Sequence, residues 1–153
     1  MIIVLSLLLG VIAGLRALTA PAIVAWAAYL GWLPLGGTPL AWLGHVAAPC
    51  VLTLLAIGEL IGDQLPKTPS RKVPLQFGTR IVAGALAGAA LGTPSGRLVG
   101  GLAAGAVGAV IGTLGGAAAR ARLAQAFGRD RPAALIEDIV AIVGAVLIVC
   151  AAR

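Results

Sequence analysis

The polar positions are sparse, and they divide the chain into long uncharged runs: 1–15, 17–58, 81–96, 98–119 and 139–152. Stretches such as Leu5-Ser6-Leu7-Leu8-Leu9 and Val140-Ala141-Ile142-Val143 are continuous apolar blocks. They lack the period-two alternation of a membrane β-barrel strand. Only helices and closed barrels satisfy every backbone group in lipid, so the pattern predicts helices. Residues 2–33 form an N-terminal unit too long for one ordinary span, with Gly14, Thr19 and Pro21 where a break or kink is cheapest. The unit reads either as two short helices or as one kinked helix. Residues 34–42 hold Pro34, Gly36, Gly37 and Pro39 and predict a turn. Further spans are expected over 43–65, stopped by Pro66, then over 76–92 and 97–119 around Thr93-Pro94-Ser95-Gly96, and over 133–151 with Pro132 near its first turn.

Composition places this pattern in a class. Of 153 residues, 60% are hydrophobic and only 16 are charged, too few for the polar shell of a soluble domain of this size. The expected fold is all-α: one polytopic transmembrane domain over 1–153, with five full spans, or six segments if the N-terminal helix pair is broken. A cleaved secretory signal at the start is disfavoured, because it lacks a basic leader and Arg16 interrupts its apolar stretch. A weak internal similarity relates 14–75 to 78–132: Gly14-Leu15-Arg16 matches Gly78-Thr79-Arg80, which suggests parallel repeats.

Seven of the 11 basic residues lie in two predicted loops, 66–75 (Lys67, Arg71, Lys72) and 120–132 (Arg120, Arg122, Arg129, Arg131). The positive-inside rule puts both loops in the cytoplasm of a multi-pass protein of the cell (inner) membrane, with the C-terminus outside. The side of the N-terminus stays open. Trp26, Tyr29, Trp32 and Trp42 surround the 34–42 turn as an interfacial aromatic belt. The basic loops lack stacking aromatics, so the bilayer is the expected partner and nucleic acid is not.

Gly84, Gly88, Gly92, Gly96 and Gly100 recur every four residues, and Gly108, Gly112 and Gly116 continue the spacing after Ala104. Small residues at this spacing let helix backbones approach closely. The expected use is packing within one subunit, with a seam between copies of the chain as the alternative.

Six ionisable residues fall within or at the edges of the apolar segments: Arg16, Glu59, Asp63, Arg80, Glu137 and Asp138. Each costs about 2.5–3.5 kcal/mol in a membrane on insertion scales, so partners are expected. All six map to one layer near the cytoplasmic side. Two arginines face four carboxylates there, an imbalance that favours protonation of one or two carboxylates. Glu59, Asp63 and Lys67 share a helix face; Asp63 can pair with Lys67, whereas Glu59 needs Arg16 or Arg80. No phosphate-binding loop, dinucleotide fingerprint, metalloprotease motif or nucleophile elbow occurs, so neither an enzyme nor a cofactor is expected. His45 stands alone and makes a poor metal or catalytic site. Cys50 and Cys150 fall in predicted spans and are expected as free buried thiols.

Gly14-Leu15-Arg16…Pro21, then Trp42-Leu43-Gly44, then Glu59-Leu60-Ile61-Gly62-Asp63-Gln64-Leu65-Pro66 resembles a bacterial membrane-protein family, the one named domain of unknown function 4126. The resemblance runs from about residue 5 to 150. It implies an integral membrane protein without an established activity, and it brings no catalytic residues. The charged layer therefore carries the functional expectation: passage of a small solute or ion. The carboxylates would bind a cation or proton and the arginines would act as counter-ions. The alternative is a non-transporting membrane scaffold or assembly partner in which the same charges only set helix register.

Overall fold

The computed structural model describes residues 1–62 and 73–153, and over these it is all-α. The helices are α1 (Ile2–Leu15), α2 (Thr19–Tyr29), α3 (Ala47–Gly62), α4 (Pro74–Gly92), α5 (Leu98–Phe127) and α6 (Asp130–Ala152). Pro21, Pro49, Pro74 and Pro132 each lie in the first turn of a helix, where a missing N–H removes no intrahelical bond. Gly96 and Gly128 end α4's trailing 3₁₀ turn and α5 with φ of 66° and 64°, a left-handed conformation that only glycine adopts cheaply. Three helices are long and apolar enough to cross a membrane: α4 with its 3₁₀ turn, α5 and α6. α1, α2 and α3 are shorter apolar helices.

The N-terminal unit is the broken form, and its two halves run in opposite directions. Gly10 lies on Gly105 and Gly14 on Ala109 and Thr113, so α1 runs parallel to α5. Asp138 meets Arg16 and Gly144 meets Ile12, so α6 runs antiparallel to α1. Val146 and Val149 face Ile23 and Trp26, and Arg153 lies 5.0 Å over Trp32, so the same α6 runs parallel to α2. α1 and α2 are therefore a helical hairpin with its tip at Arg16–Leu18. The 14 residues of α1 reach about 21 Å, short of the ~30 Å apolar thickness of a bilayer. α5 passes the tip at Thr113 and continues for four more turns. One end of the bundle carries Trp32, Trp42, Gly96 and both termini; the other carries Arg120, Arg122, Arg129 and Arg131.

α1, α4 and α5 form the tightly packed centre. A Cβ at Gly84 would lie 2.7 Å from both Ala109 Cβ and the Gly105 carbonyl oxygen. One at Gly92 would lie 2.5 Å from the Arg97 oxygen, and one at Gly88 would fall on the Gly101 oxygen. On α5, Gly101 meets α4, Gly105 lies between α4 and Gly10 of α1, and Gly108 and Gly112 meet Leu7 and Val11 of α1. Of the four-residue row expected from 100 to 116, Gly100 meets Ile3, Gly108 meets Leu7 and Gly112 meets Val11, so it stays on α1, and Gly101 and Gly105 form a second set one position on. These glycines are occupied by contacts inside one chain. Gly116 is buried too, beside a crevice between α5 and α6.

The expected loop 120–132 is corrected. α5 continues to Phe127, and only Gly128 and Arg129 separate it from α6. The charges end the apolar run but not the helix, because Ala, Arg, Leu and Gln over 117–126 are all strong helix formers. The expected loop 66–75 lies partly outside the described residues, and its last two positions open α4.

Candidate functional site

A broken helix exposes the carbonyls of one terminus and the N–H groups of the other, and in an apolar interior each must find a partner. The tip of the α1–α2 hairpin does so with the charged residues. Arg16 ends α1 in an extended conformation (φ −138°, ψ 109°), and its backbone N–H still bonds the Ile12 carbonyl. From α4, Arg80 Nη1 donates to the carbonyls of Gly14 (2.9 Å) and Leu15 (2.7 Å), the open end of α1. From α3, Glu59 accepts the N–H of Ala17 on Oε1 (2.8 Å) and that of Leu18 on Oε2 (2.9 Å), just before α2 begins. A cation thus sits at a helix C-terminus and an anion at a helix N-terminus, the arrangement that complements both helix dipoles. Arg80 Nη2 and Glu59 Oε1 lie 3.5 Å apart and pair with each other. From α5, the Thr113 hydroxyl lies 3.3 Å from the Gly14 oxygen and 2.7 Å from its own Ala109 oxygen. Arg16 turns its side chain to α6, where Nε donates to Asp138 Oδ1 (2.6 Å) and Nη2 forms an ion pair with the same oxygen.

Four of the expected six charges therefore meet at one point: Arg16, Arg80, Glu59 and Asp138. Arg16 and Arg80 are 0% and 2% exposed, so both guanidinium groups are enclosed by the protein. Of the two candidate partners for Glu59, Arg80 pairs with it and Arg16 goes to Asp138. Asp63 lies outside the described residues, as does its expected partner Lys67.

Glu137 is buried next to Asp138 but faces another way. Successive helix residues point about 100° apart, and Glu137 Oε2 lies 3.5 Å from Arg120 Nη1 of α5. Arg120 also holds Asp130 through Nε (2.9 Å) and Nη2 (2.5 Å). The sequence reading missed Arg120 because it assigned that residue to a loop. Its signal was available in the helix-forming residues on both sides. With Arg120 included, three arginines face Glu59, Asp130, Glu137 and Asp138 among the described residues, so the expected imbalance of two arginines against four carboxylates is reduced there.

A cavity of about 240 Å³ opens beside the Glu59–Arg80 pair. Ala17 and Leu18 of the tip, Glu59 of α3, and Leu75, Gln76, Thr79 and Arg80 of α4 line it. α3, which carries Glu59, buries only Pro49 and Ala56 and leaves Leu54, Leu55 and Ile61 exposed, so it is the least embedded of the six helices. Besides Glu59, Trp26 Nε1 donating to Thr53 (2.9 Å) holds it to α2. His45 is exposed and its Nδ1 accepts the Ala47 N–H (3.4 Å) at the start of α3, a capping role. Cys50 and Cys150 are free, but they are exposed on outward helix faces, which corrects the expectation of buried thiols.

A family model described as Domain of unknown function (DUF4126) matches residues 3–152. No curated protein and no solved structure matches the chain.

Proposed function

The chain belongs to this family of unknown function, and we propose that it passes a small solute or ion across the membrane, with Glu59–Arg80 as the exchangeable pair and Arg16–Asp138 as the fixed one. One observation carries the reading: the cavity of about 240 Å³ reaches a charge pair, Arg80 buried and Glu59 half-buried, at a break between two half-length helices. Broken helices with ligand-facing termini near the middle of the bilayer are how many transporters build their sites. The two pairs differ in a way that suits the division of roles. Arg16 is enclosed and tightly paired, whereas Glu59 and Arg80 are 3.5 Å apart, line the cavity and sit partly on the loosely held α3. A cation or proton that neutralised Glu59 would compete with Arg80 and with the N–H groups of Ala17 and Leu18, and so would couple occupancy to the hairpin tip. By the positive-inside rule the arginine end faces the cytoplasm, which opens the cavity nearer that side.

Purified protein in liposomes, assayed for proton, cation and small-anion flux, tests the reading. Glu59→Gln should abolish the flux of the transported species. Flux that survives this change unaltered would remove Glu59 from the pathway.

A second reading is supported by the pairing itself. Each charge at the tip already has a partner in the chain, and Arg80 and Glu59 also satisfy backbone groups, which is what a membrane scaffold or assembly partner would need and no more. Exchanging the Arg16–Asp138 pair as Arg16→Asp with Asp138→Arg separates the two. If exchange restores stability and the cellular phenotype while no flux is found for any ion, the scaffold reading stands and transport falls.

A further inference from the structure

Between α5 and α6, at the arginine end, lies a crevice of about 130 Å³. Gly116, Ala119 and Leu123 of α5, and Ala133, Ile136 and Val140 of α6, form its walls. Gly116, Ala119 and Ala133 hold it open because they are too small to fill the gap between two helices that join at Gly128. Its volume is several times the ~30 Å³ of a liquid water, but a water needs two to four polar partners and this lining is almost wholly apolar. The natural occupant is hydrocarbon. The polar edge has the opposite character. Arg120 closes one end on Asp130 and Glu137, and Arg122, Arg129 and Arg131 stand exposed around the connection. Four arginines against Asp130 and Glu137 leave this end positive, next to an apolar slot.

We propose that the α5–α6 crevice is a binding site for an anionic phospholipid, with the first methylenes of an acyl chain in the slot and the phosphate at Arg129 and Arg131. Basic pockets between transmembrane helices on the cytoplasmic side recognise anionic headgroups through this combination. Arg129 is the N-cap residue of α6, four residues before Ala133 of the slot's wall, and it is exposed. Arg131 adjoins it in the first turn. Asp130 between them is held by Arg120, which keeps its carboxylate turned toward α5 and away from an incoming phosphate. The site is independent of solute passage at Glu59.

Native mass spectrometry of the purified protein in neutral detergent, titrated with phosphatidylglycerol or with phosphatidylcholine of the same chains, tests it. The wild type should prefer phosphatidylglycerol by roughly tenfold, as about two headgroup–arginine contacts allow. Arg129→Gln with Arg131→Gln should bring the two lipids to within about threefold. Ala119→Phe, an exposed position on the wall, should weaken both lipids by filling the slot. Arg97→Gln, at the opposite end of the bundle, should change nothing, and inorganic phosphate should not displace the lipid. Equal binding of both lipids by the wild type, full preference retained by the Arg129/Arg131 variant, or displacement by phosphate alone would each overturn the proposal. Circular dichroism of every variant guards against misfolding, and Ala119→Phe supplies a readout without altering charge.

Discussion

Gly84→Ala probes the packed centre most directly. The added Cβ would lie 2.7 Å from both Ala109 Cβ and the Gly105 oxygen, and 3.4 Å from Gly10 Cα of α1. Carbon atoms rest about 3.5–4.0 Å apart, so α4 must move by roughly 1 Å. None of the three atoms is the free end of a flexible side chain, so whole helices must part. Overpacking of this kind costs about 1–3 kcal/mol, against a gain of about 0.5–1 kcal/mol from replacing a helical glycine with alanine. Gly115 supplies the control: it lies in α5, and a Cβ there meets nothing within 4 Å. Gly115→Ala should keep the gain without the cost. The two substitutions are chemically identical, so their difference, about 1–3 kcal/mol or roughly 5- to 150-fold in the unfolding constant, isolates the close approach. Unfolding of each variant in mixed micelles by added sodium dodecyl sulfate, followed by far-ultraviolet circular dichroism, measures it. Equal stability of the two variants would refute the backbone contact between α4 and α5.

The reversal between α1 and α2 predicts that reporters fused before Met1 and after Arg153 read the same side of the membrane, and that one inserted at Gly128 reads the other; termini on opposite sides would exclude the hairpin. Arg16→Gln and Asp138→Asn should each destabilise by about 3–5 kcal/mol, because each removes one member of a buried ion pair; the double variant should lose much less than the sum in a double-mutant cycle. Glu59→Gln keeps one carbonyl oxygen for the two N–H groups of Ala17 and Leu18, so one donor is left open at about 1–3 kcal/mol. Hydrogen exchange at those two amides should accelerate while that of α5 stays unchanged.

The elements were largely legible and the site only in part. The break near Gly14 to Pro21, the turn at 93–96 and the apolar helices follow from local signals: a helix hydrogen-bonds within four residues of itself, and proline and glycine mark its ends. The layer of charges was visible because any ionisable group in an apolar run stands out. The partners were not. Arg16 and Asp138 are 122 residues apart, and no local pattern distinguishes that pair from Arg16 with Glu59. Arg120 was overlooked for a different reason. A charged residue ends hydrophobic periodicity without lowering helix propensity, so the span and the helix ended in different places. The glycine row likewise predicted close packing, while the use of Gly101 and Gly105, outside that row, against α4 depended on how the helices are arranged.

The sequence by itself determined an all-α chain with helices apolar enough to cross a membrane, the location of its breaks and most of the charges the helices enclose, with Arg120 overlooked, because these depend on backbone bonding and apolar transfer, both settled over a few residues. Only the tertiary structure decided that α2 turns back along α1, that Glu59 and Arg80 cap the two open helix ends, and that Arg16 is matched by Asp138. Those contacts join residues with no relation along the chain, and their energy depends on distance and burial, which exist only after the helices have packed.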